Sequence, residues 1–179
     1  QGRGSLDVVT QVETLHATDL GADYQRFTAG QVMVETAERL VFEDRVPALP
    51  QYRLLLGALL ALRRDEHRLS AIVDSYLLRA MAIAGWAVVL DSCSACGVTH
   101  DLGWFNPQGG GMVCVHCRPP ASARIDEQGS KYLQALLTGD WAVVDAADPA
   151  LINRSHGIVV AFATWHMERN LRSLPFLER

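Results

Sequence analysis

The sequence predicts a mainly α-helical protein: a helical bundle domain that contains an inserted four-cysteine module and is preceded by one strand. Apolar residues recur at helical spacing before and after the middle of the chain, and four cysteines form two C-x-x-C pairs between those regions. The first fifteen residues instead alternate between apolar and polar side chains, as strands do. With 179 residues, 49% of them hydrophobic, the chain is long enough to build its own core.

The strand is predicted for residues 1–15, behind the turn Gly2-Arg3-Gly4. A single strand is not stable by itself, because it leaves a row of backbone hydrogen-bonding groups without partners. We therefore expect the rest of its sheet to lie outside these 179 residues.

Three helices are predicted next, and together they should form one bundle. The first covers about 23–41 and the second about 51–64. The third has Ser70 as its N-cap and Gly85 as the residue that ends it. In the first helix, the apolar residues at helical spacing are Tyr24, Phe27, Val34, Ala37 and Val41.

Two further helices are predicted after the cysteines, beyond a linker marked by Pro119-Pro120. One covers about 129–137 and ends at Gly139. The last and longest covers about 155–173 and ends before Pro175. Its apolar face is predicted to consist of Ile158, Phe162 and Trp165.

The cysteines are the most specific feature of the sequence. Cys93, Cys96, Cys114 and Cys117 are all the cysteines of the chain, and seventeen residues separate the two pairs. Two residues between ligands let one tight turn direct two sulfurs at the same point, and four thiolates in a tetrahedral array suit Zn²⁺. Since all four coordination positions would be filled, we predict one structural zinc and not a catalytic one.

Spacing alone leaves other arrangements of this module open. The cysteines could form structural disulfides or a redox dithiol, and His100 or His116 could replace one thiolate as a metal ligand. Gly97 after the first pair and the glycines at 109–111 before the second give the backbone freedom to turn. The residues between the pairs favour short strands around Leu102, Trp104 and Phe105.

Charge and hydropathy limit the possible partners. The formal net charge of −4 becomes about −6 when four thiolates bind one Zn²⁺, so any contact with a polyanion must be local. Fifteen Arg accompany the single Lys131, and Arg suits bidentate contacts with phosphate or carboxylate. The absence of a long apolar run and of a signal-peptide pattern favours a cytoplasmic protein with reduced cysteines and no membrane partner.

The sequence contains no motif that indicates catalysis. Nucleotide-binding glycine motifs and the H-E-x-x-H zinc motif are both absent. His156 and His166 are expected to lie on helix surfaces or to pack against neighbouring residues. We therefore expect that the protein is not an enzyme. The carboxylate pairs are expected on solvated surfaces; they are Glu35 and Glu38, Asp65 and Glu66, and Asp126 and Glu127.

A particular order of features runs along the chain. Gly85-Trp86 stands shortly before Cys93-x-x-Cys96-Gly97, a Gly-Gly turn leads into Cys114-x-x-Cys117, and Arg172-Ser173-Leu174-Pro175-Phe176-Leu177 closes the chain. This order resembles the RecO family of bacterial DNA repair and recombination mediators. Near the start, Gly2-Arg3-Gly4 through Gln11-Val12-Glu13 resembles the end of that family's N-terminal OB-type β-barrel.

The resemblance implies a division into four parts. Residues 1–18 would be the remnant strand of an OB-type domain, the rest of which is absent, and residues 19–90 the first part of the helical domain. Residues 91–120 would be the four-cysteine zinc-finger module, and 121–179 the C-terminal part of the helical domain.

The resemblance also implies a function. RecO proteins bind single- and double-stranded DNA, anneal complementary strands and, in the RecFOR pathway, work with RecR to load recombinase onto DNA coated by single-stranded DNA-binding protein (SSB). Such a protein would act in the bacterial cytoplasm, associated with the nucleoid. The candidate phosphate contacts are Arg3, Arg118, Arg124 and Lys131. The candidates for binding the acidic tail of SSB are Arg63, Arg64 and Arg68. The alternative is a zinc-ribbon-bearing protein-interaction scaffold without a direct role on DNA.

Overall fold

Helices make up most of the protein, and a small sheet is inserted among them. The computed structural model describes residues 9–13, 20, 23–41, 46–167 and 171–177. In those ranges, none of the helices combines the length and the apolar character that crossing a membrane requires. The elements in chain order are α1 (Tyr24–Leu40), α2 (Leu49–Arg64), α3 (Leu69–Ile83), β1 (Leu102–Asn106), β2 (Gly111–Cys114), β3 (Ala123–Arg124), α4 (Glu127–Thr138), α5 (Trp141–Asp145), α6 (Pro149–His166) and a 3-10 turn (Leu174–Phe176).

The first two helices begin close to where the sequence predicts. The Asp23 side chain caps α1 by accepting hydrogen bonds from the backbone N–H groups of Gln25 and Arg26, at 2.9 and 3.2 Å. α2 begins at Leu49, and Pro50 lies in its first turn, where a missing N–H costs no helical hydrogen bond.

Of the two predicted ends of α3, one is confirmed and one is wrong. Gly85 adopts a φ of +98°, and the N–H of Trp86 donates to the carbonyl of Met81 at 2.9 Å, which closes the helix. At the other end, Arg68 and not Ser70 holds the N-cap position, and no side chain caps it.

The side of α1 that packs into the bundle is not the one with its largest apolar side chains. Tyr24 and Phe27 are 58% and 47% exposed, and Val34 and Val41 are also exposed. Because α1 carries apolar residues on two sides, periodicity alone cannot decide which side faces α3. The residues that do become buried include Ala29, Val32, Met33 and Leu40.

α3 is the central helix of the bundle. Ten of its fifteen residues are buried, and it packs against α1, α2, α4 and α6. The Tyr76 hydroxyl donates to the Met33 carbonyl at 3.0 Å, and the Ser75 hydroxyl donates to the Leu136 carbonyl at 2.7 Å. These bonds satisfy polar groups inside the core and tie α3 to α1 and α4.

The sheet has two faces with different surroundings. Its strand order is β2-β1-β3, and both strand pairs are antiparallel. Phe105 pairs with Met112, and both side chains belong to the helical core. Trp104 pairs with Val113 on one side and with Arg124 on the other. Since cross-strand partners share a face, Trp104 and Arg124 lie on the face opposite Phe105, which we call the outer face.

The β1–β2 hairpin is fixed to the rest of the protein at two points. The Met112 N–H donates to the Val89 carbonyl at 2.7 Å, and a Cβ atom at Gly111 would lie 2.6 Å from that same carbonyl oxygen. At the turn, Nε2 of His166 donates to the Pro107 carbonyl at 3.1 Å. The predicted role of His166 in packing is therefore confirmed.

α4 agrees with the prediction, and α6 does not. The Asp126 carboxylate caps α4 through the Gly129 N–H at 2.8 Å, and Gly139, with a φ of +75°, ends it. α6 begins six residues earlier than predicted, because the Asp148 side chain caps it there. It also ends seven residues earlier than predicted, at His166. Trp165 then lies in its last turn and is 54% exposed, so it is not part of the buried face.

The predicted N-terminal strand falls mostly outside the described residues. Of residues 1–15, the structure describes 9–13. These five residues are exposed and belong to no strand.

Candidate metal centre and arginine surfaces

The two C-x-x-C pairs converge on one point. The sulfur atoms of Cys93, Cys96, Cys114 and Cys117 all lie within 4.8 Å of one another, and the sulfurs of Cys96 and Cys114 are 3.9 Å apart. Thiolates bound about 2.3 Å from a tetrahedral Zn²⁺ lie roughly 3.8 Å from each other, whereas a disulfide requires about 2.05 Å. All four cysteines are free, so they are placed to hold a metal ion and not to form disulfides.

Each pair lies at a tight turn that directs its sulfurs inward. The Gly97 N–H donates to the Cys93 carbonyl at 2.8 Å, and the φ of +79° at Gly97 is a conformation that glycine adopts without strain. In the second pair, the Cys117 N–H donates to the Cys114 carbonyl at 3.2 Å. In the described part of the chain, the metal-binding cluster contains these four thiols and neither His100 nor His116.

The electrostatics of the four thiols favour a bound cation. The hydrogen bond from the Cys114 backbone N–H lowers the pKa of the Cys93 thiol to about 6. The neighbouring thiols of Cys96 and Cys114 raise the pKa of Cys117 to about 12. The Cys93 thiol therefore deprotonates readily, whereas Cys117 keeps its proton at neutral pH unless the positive charge of a bound cation stabilises its thiolate. A divalent metal ion would supply that charge.

The cysteines belong to a small apolar cluster of their own, separate from the helical core. Cys93 and Cys114 are each only 3% exposed, whereas Cys96 is exposed. A cluster this small buries little apolar surface, so a metal cross-link would supply much of its stability. Its other members are Val113 and the partly buried Val98, Leu102 and Trp104.

The outer face of the sheet carries an aromatic ring among arginines. The Arg118 guanidinium carbon lies 4.8 Å from the centre of the Trp104 ring, and Arg124 is the cross-strand partner of Trp104. Arg154 of α6 lines the same cavity as Arg124, which has a volume of about 170 Å³. These three arginines are exposed, and none forms an ion pair with any residue that the structure describes. We call the four residues Arg118, Trp104, Arg124 and Arg154 the arginine track.

The structure places three of the four predicted phosphate contacts, in different surroundings. Arg118 and Arg124 come together on the arginine track. Lys131 forms a salt bridge with Glu127 at 2.6 Å on the exposed side of α4, which offsets its charge locally. Arg3 lies outside the described residues. Arg154 could not be found from the sequence, because only the packing of α6 against α4 brings it to the track.

An apolar groove lies between α2 and α3. It has a volume of about 660 Å³, and the exposed Arg53 and Arg79 are among its lining residues. None of the predicted Arg63, Arg64 and Arg68 lines it. Arg63, Arg64 and Arg68 are close along the chain, whereas helix packing brings together two arginines that are 26 positions apart. The apolar lining of this α2–α3 groove includes Leu54, Ala58, Ala61, Ile72, Leu137 and Trp141.

A buried polar pair joins α3 to α6. Asp74 is 0% exposed, and its Oδ1 lies 2.7 Å from Nδ1 of His156. Burial raises the pKa of Asp74, and the hydrogen bond from His156 offsets part of that effect. Within the described residues, the second carboxylate oxygen of Asp74 and the hydroxyl of Tyr132 have no hydrogen-bond partner.

The chain is similar to known proteins of one family. The profile of the family described as "Recombination protein O C terminal" matches residues 21–175. A protein described as "DNA repair protein RecO" from Nocardioides sp. is 46% identical over 184 residues, which cover 100% of this chain and 75% of that protein. A protein with the same description from Streptomyces coelicolor is 43% identical, over 99% of this chain and 72% of that protein. Another from Cutibacterium acnes is 46% identical, over 100% of this chain and 75% of that protein.

Proposed function

This chain belongs to the RecO family of DNA repair proteins, and from that premise we propose that it is a recombination mediator that binds DNA. In this proposal it binds single and double strands, promotes annealing and, with RecR, helps to load recombinase onto DNA coated by SSB. It does so at the nucleoid, without catalysing a bond cleavage. The observation that supports contact with DNA is the arginine track.

The arginine track provides a local positive surface on a chain with a net charge of −4. Its three guanidinium groups have no carboxylate partner among the described residues, so their donors are available to phosphate oxygens. Each phosphate contact releases counterions, and binding then weakens steeply as salt rises.

Salt-dependent binding to a fluorescently labelled single-stranded oligonucleotide tests this proposal. Replacing Arg118, Arg124 and Arg154 together by Ala should lower the slope of log affinity against log salt by roughly 2, since each lost contact removes about 0.7. Arg64→Ala, at the far end of α2, is the control for the loss of an arginine elsewhere on the surface. A protein that neither binds nor anneals DNA at low salt would contradict the proposed function.

We also propose that the four cysteines hold one structural Zn²⁺. The donor set supports this, because four thiolates fill a tetrahedral site and leave no position for an activated water. When bound, the ion would cross-link the turn at Cys93 and Cys96 to the strand end at Cys114 and Cys117. Elemental analysis with thiol titration before and after denaturation should find one zinc per chain and four protected thiols. Four freely reacting thiols without metal would contradict the proposal.

The α2–α3 groove is our proposed site for the acidic tail of SSB. Its apolar walls would take hydrophobic side chains, while Arg53 and Arg79 would face the carboxylates. Reversing both charges, Arg53→Glu with Arg79→Glu, should abolish binding of a tail peptide. The sequence predicts a different set, Arg63, Arg64 and Arg68, and this stays a prediction. Reversing the charges of those three residues in a second variant would show which set binds the tail.

The second candidate function is a protein-interaction scaffold, in which helices dock a partner and DNA contact is incidental. The apolar groove and the exposed Tyr24 and Phe27 of α1 favour it. A scaffold should retain its partner as salt rises and should show no salt-dependent affinity for DNA. The division into parts at 1–18, 19–90, 91–120 and 121–179 likewise stays a prediction.

A further inference from the structure

Trp104 occupies an unusual position for a large aromatic residue. Its pairing with Arg124 places it on the outer face of the sheet, yet its neighbour in sequence, Phe105, is buried in the helical core at 1% exposure. The backbone on both sides of Trp104 is therefore held by the core and by the β1–β2 and β1–β3 pairing. The indole is partly buried against the cysteine cluster and partly open to solvent.

An arginine lies over the Trp104 ring. The Arg118 guanidinium carbon lies 4.8 Å from the ring centre, which is the distance of a cation–π contact. Aromatic rings and guanidinium planes are the two side-chain surfaces on which unpaired bases stack in proteins that bind single strands.

Two further arginines extend the charged surface beside the ring. Arg124 is adjacent to Trp104 across the strands, and Arg154 shares its cavity. Asp126 also lines that cavity, but its Oδ1 already accepts the hydrogen bond from the Gly129 N–H that caps α4. The surface thus combines one stacking platform with two adjacent phosphate donors, an arrangement typical of single-strand sites.

We propose that one unpaired base stacks on the Arg118 guanidinium, which the Trp104 ring supports from below, and that Arg124 and Arg154 bind the phosphates next to it. This inference rests on the proposed DNA-binding function and adds to it a basis for preferring single strands. In a duplex, both faces of each base are covered by neighbouring pairs, so only an unstacked base can lie on the Trp104–Arg118 platform. Duplex DNA would contact the same arginines through its phosphates alone.

The test compares Trp104→Leu and Trp104→Phe in equilibrium binding to oligodeoxythymidylate and to a duplex of equal length. Leucine keeps an apolar side chain against the cysteine cluster but cannot stack, whereas phenylalanine retains an aromatic face. Trp104→Leu should weaken single-strand binding roughly 5- to 100-fold, the range for the loss of one stacked base, and should change duplex binding less than about 2-fold. Trp104→Phe should restore most of the single-strand affinity.

Trp165→Leu, a change at an exposed tryptophan on α6, is the matched control and should leave both affinities unchanged. Metal content and far-UV circular dichroism verify that each variant is folded. Equal losses for single strand and duplex, or no loss with Trp104→Leu, would overturn the stacking role while the DNA-binding function stands. A wild-type protein that binds no DNA would overturn both.

Discussion

Glu35 on α1 holds Ser173 near the opposite end of the chain. Its carboxylate accepts hydrogen bonds from the backbone N–H groups of Arg172 and Ser173, at 2.8 and 2.9 Å, and from the Ser173 hydroxyl. Arg39 adds a salt bridge at 2.6 Å. The expectation that Glu35 lies on a solvated surface is therefore wrong, because its side chain is only 16% exposed and fixes the 3-10 turn at Leu174–Phe176 against α1.

Loss of the Glu35 charge should destabilise the protein in a pH-dependent way. Burial raises the pKa of Glu35, but hydrogen bonds from Ser173 and Arg172 and the charge of Arg39 together bring it below its ordinary value of 4.5. A lowered pKa in the folded state adds stability above pH 4.5, and this stability is lost as pH falls further. Glu35→Gln should lower the free energy of unfolding by about 1–2 kcal/mol at neutral pH, measured by urea denaturation.

The same measurements over a series of pH values should show the difference between the two proteins shrinking below pH 4.5. Glu38→Gln, on the exposed side of the same helix, is the control and should cost less than about 0.5 kcal/mol. An equal cost at both positions, or a difference that does not change with pH, would contradict the assigned role of Glu35.

The buried Asp74 should have the opposite pH dependence. Because burial raises its pKa in the folded state, its contribution to stability is greatest below the ordinary value of 3.8 and falls as pH rises. Asp74→Asn keeps an oxygen that can accept the hydrogen bond from His156 and removes the charge. The free energy of unfolding of this variant, measured by urea denaturation, should therefore increase relative to that of the wild type as pH rises from 4 to 7.

Asp74→Ala provides the comparison, since it removes the partner of His156 and leaves a cavity. It should destabilise the protein by about 2–4 kcal/mol at pH 4, and by less as pH rises, because it also removes the carboxylate. Parallel pH profiles for the wild type and Asp74→Asn would show that the carboxylate is not the source of the effect.

Removal of the metal should loosen residues 88–120 in particular. Loss of a cross-link worth about 3 kcal/mol, the typical contribution of a disulfide, would lower Tm by roughly 6–12 °C in a protein of this size. Exhaustive chelation and Cys96→Ser should both produce that shift and should change the near-UV circular dichroism of Trp104. Ser94→Ala, between two ligands, is the control. Identical melting and near-UV spectra after complete chelation would contradict a structural role for the metal.

A methyl group at Gly111 should disturb the docking of the hairpin. The added Cβ would lie 2.6 Å from the carbonyl oxygen of Val89, which is backbone and cannot rotate away. Gly111→Ala should therefore cost about 1–3 kcal/mol in thermal or urea unfolding. Gly103→Ala, where a Cβ meets nothing within 4 Å, should cost less than about 1 kcal/mol, and equal effects at both glycines would count against this steric account.

The metal site could be predicted from the sequence because its geometry is local. Each C-x-x-C pair fixes its own turn, and only a short hairpin has to return for the sulfurs to meet. The helix ends at Gly85 and Gly139 were predictable for the same reason, since a positive φ is a property of one residue and its immediate neighbours. Order within the chain also supported the resemblance to RecO, which the comparisons confirm at the level of the family.

Tertiary structure decided the features that depend on how distant elements pack. Three features depend on the orientation of the helices relative to one another. They are which apolar side of α1 becomes buried, which two arginines line the α2–α3 groove, and the contact of Glu35 with Ser173. A sequence pattern records periodicity within one element, but it contains no information on the angle at which a neighbouring element approaches. The sequence by itself therefore determined the four-cysteine cluster, the helical class and the family. The packing of the bundle determined which side chains meet, because contacts between residues far apart in sequence form only in the folded chain.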